Sequence, residues 1–185
     1  MNGLWVLAGI VLLPLLWLLV TYNRFIRLNN HCNEAWSNID TELKRRYDLI
    51  PNLVRTVQGY AAHERGVLEE VTRLRQACVA ETGAPERQAE IENQLVRAIR
   101  QLLVRVENYP DLKANQNFLD LQRELANTED RIQAARRFYN GNVRELGNAV
   151  ESFPSNIVAG MFGFARREFF EVEDTGIRTA PQVHL

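Results

Sequence analysis

The first 23 residues contain no Asp, Glu, Lys or Arg, so every one of the 22 basic and 23 acidic side chains lies further along the chain. Cysteine is scarce: Cys32 and Cys78 are the only two, and neither sits in a CxxC or metal-ligand spacing. That excludes a disulfide framework and leaves both as small apolar packing residues. A net charge of −1 gives no basic excess for nucleic acid and no acidic, solvating tail. Histidine is limited to His31, His63 and His184. His63-Glu64 begins like a zincin motif, but Val67 stands where the second His is needed and cannot bind zinc. His31 and Cys32 are neighbours, so on a helix they point about 100° apart and make no dyad. There is no GxSxG, Walker loop, dinucleotide fingerprint or Glu-x-x-His. These absences leave no catalytic residue, no metal ligand and no cofactor to assign.

What is present begins with a membrane anchor. Gly3–Val20 reads GLWVLAGIVLLPLLWLLV, and Thr21 and Tyr22 extend it. At about 1.5 Å per residue, this run covers the roughly 30 Å hydrocarbon core of a bilayer. Gly3 and Leu4 open the span and Val20 closes it. Trp17 and Tyr22 suit one interfacial aromatic belt, and Pro14 is tolerated in lipid. A cleaved signal peptide needs a basic n-region and small residues at the cleavage site, and neither is found. The expectation is therefore an uncleaved span. Arg24, Arg27, Lys44, Arg45 and Arg46 all follow it. The positive-inside rule then puts the N-terminus outside and the C-terminal domain in the cytoplasm.

Beyond the span the helical period dominates. Leu28, Cys32, Ala35, Ile39 and Leu43 mark a first stripe, continuous with the span. Leu53, Val57, Tyr60, Glu64, Val67, Val71, Leu74 and Cys78 mark a second, with only Glu64 polar. Ile91, Leu95, Ala98, Leu102 and Val106 mark a third. The fourth runs from Phe118 to Phe153. Pro51 is placed in the first turn of the second helix. Gly83, Pro85, the Asn108–Asp111 segment and Pro154 supply the other breaks. No period-two run occurs. The fold class expected is all-α, an N-terminal transmembrane helix followed by an antiparallel bundle of about four long helices. Such heptads also permit coiled-coil self-association. The expected divisions are 1–23 anchor, 24–153 bundle, 154–174 apolar and aromatic segment, and 175–185 flexible tail.

Two constellations stand out. In Lys44-Arg45-Arg46-Tyr47-Asp48, three successive cations cover most of a helix circumference, so one can face inward. An inward cation needs a carboxylate partner. Lys44, Arg45, Arg46 and Asp48 are candidate structural ion pairs, and a solvated cluster is the alternative. In Asn156–Phe170, NIVAGMFGFARREFF, the aromatics exceed what a short exposed segment carries. Phe162, Phe164, Phe169 and Phe170, with Arg166 and Arg167, either close the bundle end or contact a partner or lipid headgroups.

The residues NEAWSNIDTELKRRYDLIPNLVRTVQGYAAHERGVLEEVTRLR at Asn33–Arg75, ENYPDLKANQNFLDLQRELANTEDRIQAARRFYN at Glu107–Asn140 and FPSNIVAGMFGFARREFFE at Phe153–Glu171 resemble the LemA family of bacterial membrane proteins. The resemblance covers nearly the whole chain except the tail. Leu146-Gly147-Asn148 departs from a Tyr-Asn often found there in the family. The resemblance implies an anchor in the bacterial inner membrane, a cytoplasmic helical bundle and no established enzymatic activity. Members are associated with envelope functions, and one branch with magnetosome formation. The functional expectation is a membrane-anchored scaffold or adaptor acting through protein–protein association, as a homo-oligomer or with another membrane-associated protein. A membrane-shaping protein that self-assembles on the bilayer, and a ligand-binding bundle or enzyme, are the alternatives.

Overall fold

In a computed structural model, residues 2–61, 63–81 and 83–171 are described, with the backbone alone for 2–9. His184 and the 175–185 segment lie outside the described residues. Among those described there are six helices and no strand: α1 (Asn2–Gln58), α2 (Arg65–Ala80), α3 (Pro85–Val106), α4 (Pro110–Lys113), α5 (Gln116–Glu151) and α6 (Ser155–Phe162). The chain divides into two compact units. One takes the residues up to Leu43 with Asp130–Phe169. The other takes Lys44–Glu129 with Phe170 and Glu171. Both long helices, α1 and α5, contribute to each unit.

The buried side of α1 explains its continuity. Phe25, Leu28, Cys32, Ala35, Ile39, Leu43, Arg46, Ile50, Leu53 and Val57 are all buried, at steps of three and four. Ahead of Thr21 no described residue of α1 is buried, and Ile10–Leu13, Leu15–Trp17, Leu19 and Val20 are exposed. Protein packing thus starts where the uncharged run stops.

Pro51 corrects the sequence-based division of this region, because α1 continues through it for two further turns. A helical proline cannot donate to the carbonyl four residues back. Here that carbonyl is Tyr47 O, and it accepts a 2.6 Å hydrogen bond from Arg75 Nε of α2 instead. The orphaned acceptor is satisfied by a side chain, so the proline does not end the helix.

The second stripe is corrected too. The helix ends at Gln58, and α2 begins at Arg65 with Leu68, Val71, Leu74 and Cys78 buried. Val67 is only half-buried. Leu53 and Val57 before the break and Val71, Leu74 and Cys78 after it are buried as the stripe predicts, while Tyr60, Glu64 and Val67 at the break are not. Tyr60 is exposed, and its hydroxyl accepts a 3.0 Å hydrogen bond from Asn115.

In the Lys44–Glu129 unit, the end of α1, α2, α3 and the start of α5 supply the core of a helical bundle, with Leu112 of α4 fully buried. In the other unit, the buried α1 stripe is matched by Ile132, Tyr139, Val143, Leu146 and Ala149 of α5 and by Val158 and Ala159 of α6. Trp36 and Tyr139 meet with ring centroids 5.3 Å apart, and the Tyr139 hydroxyl donates to Glu168 O at 3.0 Å. Phe153, placed by periodicity at the end of the fourth stripe, is exposed because α5 stops at Glu151.

Candidate functional site

The chemically densest place in the Lys44–Glu129 unit is built around Arg46. Arg46 follows Leu43 by three positions and precedes Ile50 by four, so it occupies a core position of α1. It is 2% exposed. Its Nη1 donates to Glu129 Oε2 of α5 at 2.8 Å, and its Nη2 donates to Glu92 Oε2 of α3. Glu92 is 0% exposed. Its other oxygen accepts from the Tyr47 hydroxyl. One cation therefore ties three helices through two carboxylates, and a neighbouring phenol completes the buried one.

The electrostatics follow from this geometry. Burial alone would lower the affinity of the Arg46 guanidinium for its proton. Glu92 and then Glu129 outweigh burial, and the pKa stands above its ordinary value. Burial, then the charge of Glu92 and the hydrogen bond to it, push the Tyr47 phenol far up. Burial and then Glu92 do the same to the Cys78 thiol, against the opposing pull of Arg46. A thiol held protonated in this way is the reverse of an activated nucleophile. The cluster ties α1, α3 and α5 together through Arg46 and its two carboxylate partners.

Beside it, a cleft of about 240 Å³ opens between α3 and α5. Val96, Ile99, Leu103, Leu125 and Ala126 give it apolar walls, and Arg46, Glu129, Arg100 and Gln122 complete the lining. A second, more open groove of about 540 Å³ lies between the end of α1 and α2, lined by Val54, Gln58, Leu68 and polar residues such as Glu69 and Arg73. Among the described residues, no group of three or more His, Cys, Asp or Glu is placed to hold a metal ion. Cys32 and Cys78 are free of any disulfide and buried. His31 and His63 are exposed.

Of the residues singled out in the sequence, Arg46 is at the centre of the cluster. Lys44, Arg45 and Asp48 are exposed around the same turn, where Lys44 and Arg45 have interactions of their own. Pro14, Trp17 and Val20 lie in α1, with Trp17 and Val20 exposed; Gly3 and Leu4 lie in the same helix where the backbone alone is described. Phe162 is partly exposed and packs on Tyr22, and Phe164 stacks on Phe25 with centroids 4.8 Å apart. Arg166 donates to Glu151 at 2.6 Å, and Arg167 is half-buried. Phe169 is half-buried and Phe170 fully buried. The residues that sequence reasoning missed are Glu92 and Glu129. Glu92 had a signal: 92, 95, 99, 102 and 106 fit the three-four alternation of α3 as well as the register starting at Ile91. An acid in one core stripe answers a base in another.

The fold and the cluster define an all-α protein with a charged core and, among its described residues, one helix long and apolar enough to cross a membrane. The chain belongs to the LemA family, whose sequence model matches residues 35–185. It is 23% identical over 184 residues to the magnetosome protein MamQ of Magnetospirillum gryphiswaldense, covering 86% of this chain and 68% of the relative. To MamQ 2 of Paramagnetospirillum magneticum it is 25% identical over 186 residues, with the same coverage of both chains. To protein LemA of Metamycoplasma hominis it is 26% identical over 161 residues, covering 85% of this chain and 74% of that one. None of these names is that of an enzyme.

Proposed function

We propose that this chain is a single-pass, membrane-anchored scaffold of the bacterial envelope that works by protein–protein association, with no chemistry of its own. The apolar cleft between α3 and α5 supports this reading. At about 240 Å³ it falls below the usual range for small-molecule pockets, roughly 300–1,000 Å³, and it is open along two helices. Such a cleft accepts the apolar side chains of an apposed amphipathic helix. The occupant is a helix of a second copy or of another membrane-associated protein. The charged core beside the cleft holds α1, α3 and α5 in register, so the cleft is formed before any partner arrives.

The test uses the full chain in its own membranes. A photo-crosslinking residue in place of Leu103 is expected to give discrete adducts. Ala126→Trp, which fills the cleft from an exposed position, is expected to reduce them by about tenfold, a loss of roughly 1.4 kcal/mol. Absence of adducts, together with a monomer in nanodiscs, overturns the scaffold reading.

A further inference from the structure

The aromatic contacts at the end of the span place α6 at a particular depth. Gly3–Val20 is 18 residues, about 27 Å of helix, and extension to Tyr22 reaches about 30 Å. That is just the thickness of the hydrocarbon core, so a span that crosses it has no slack and its cytoplasmic boundary falls at Tyr22. The Phe162 ring meets Tyr22 edge-on with centroids 4.8 Å apart, and the Phe164 ring lies 5.7 Å from it. Phe164 also stacks on Phe25, one turn further along α1. The last residue of α6 is thereby held level with the tyrosine that marks the membrane boundary.

The composition of α6 fits that depth. SNIVAGMF has no charge, and its two polar residues, Ser155 and Asn156, both fall in the first turn. Val158 and Ala159 pack inward. Ile157 is 52% exposed and Met161 64% exposed, one turn apart on the same side, with Phe162 at 46% and the preceding Phe153 at 80%. These exposed side chains form an apolar patch on and beside α6 among the described residues. The first charges past the span, Arg24 and Arg27, are exposed on α1 within two turns of Tyr22, at headgroup level. The apolar side chains of α6 continue the lipid-facing surface of the span.

We infer that α6, presenting Phe153, Ile157, Met161 and Phe162, is a second membrane contact that lies in the bilayer interface beside the span. The occupant of this surface is the acyl–headgroup boundary of the leaflet, and Phe164 serves as the packing rivet that holds α6 to α1. The inference is independent of the α3–α5 cleft. Its dependence is on the span crossing the bilayer.

Full-length protein in phosphatidylcholine–phosphatidylglycerol nanodiscs tests it. An environment-sensitive thiol dye is attached to Met161→Cys, with Val11→Cys as the control inside the span and Arg137→Cys as the control far along α5. Wild type, whose two cysteines are buried, supplies the blank. The expected result at 161 is a blue-shifted dye, quenched about twofold or more strongly by a nitroxide near the lipid headgroup than by aqueous iodide. The dye at 137 should show the opposite preference. Iodide-dominated quenching at 161, with 11 lipid-quenched, overturns the interfacial placement alone. Protection of 161 from both quenchers means that protein covers α6, and also overturns it. Failure of quenching at 11 by a nitroxide placed deep on the lipid acyl chain overturns the span and the inference together.

Discussion

Arg46 is a cation with almost no water around it, and its stability rests on two carboxylates. Removing one partner of a buried pair leaves an unmatched charge in a low-dielectric core, at a cost of about 3–5 kcal/mol. Arg46→Met is therefore expected to lower unfolding stability by about that amount in full-length protein in detergent, followed by circular dichroism. Replacing Arg46, Tyr47 and Glu92 together by Met, Phe and Leu removes the buried charges as a set. Glu129, whose side chain is 32% exposed, can then be hydrated. That triple variant is expected within about 2 kcal/mol of wild type, because burying an ion pair gains little over burying apolar groups. An equal loss in single and triple variants would show that packing, and not charge, holds this core.

The same cluster sets the response to alkali. Tyr47 and Cys78 have folded-state pKa values above their ordinary values of 10.0 and 9.0. Above pH 9 the unfolded chain gives up protons that the folded chain retains. The unfolded state then binds fewer protons, so stability falls as pH rises. Below pH 9 the contribution of both groups is fully present. Each group contributes a slope of about −1.4 kcal/mol per pH unit once the pH exceeds its unfolded value. Cys78→Ala is expected to flatten the decline between pH 9 and the folded-state value by about that much, measured by urea unfolding at several pH values. A curve unchanged by the substitution would mean that the thiol titrates alike in both states.

At the scale of one element, α1 shows how a helix passes a proline. Pro51 leaves Tyr47 O without its helical donor, and Arg75 Nε supplies one at 2.6 Å. Arg75→Ala should leave this acceptor unmet and cost about 1–3 kcal/mol. Pro51→Ala restores the backbone donor, so in that background the same Arg75→Ala change should cost less than about 1 kcal/mol. A double-mutant cycle by thermal unfolding reads the coupling directly. Equal costs in both backgrounds would show that Arg75 does not act through the proline.

For the molecule as a whole, the basic residues that follow the proposed span give an expected orientation. Arg24, Arg27 and Lys44–Arg46 follow it. The helical region after the span is therefore expected on the cytoplasmic side. With Arg137→Cys, a membrane-impermeant maleimide should label lysed spheroplasts and leave intact ones unlabelled. Labelling of intact spheroplasts would reverse the topology.

Much of this protein was legible in the chain because helical periodicity is local. Stripes at steps of three and four identified α1, α3 and α5 and their buried positions, from Leu28 to Leu43 and from Leu125 to Leu146. The uncharged run from Gly3 to Val20 identified the only described helix able to cross a membrane. Pro51 misled because a proline's effect depends on whether a distant donor reaches the freed carbonyl, and Arg75 is 28 residues away. The loop after Gln58 misled because an amphipathic pattern continues in sequence across a break in the chain's path. The length of the apolar run and its lack of charge were settled by the residues alone. Which of three successive cations turns inward was decided by tertiary structure. Only packing brings Glu92, 46 positions away, into contact with Arg46, and a charge settles where its counter-charge is. Tertiary contacts likewise decided that Phe162 meets Tyr22, because residues 140 positions apart carry no local signal of that pairing.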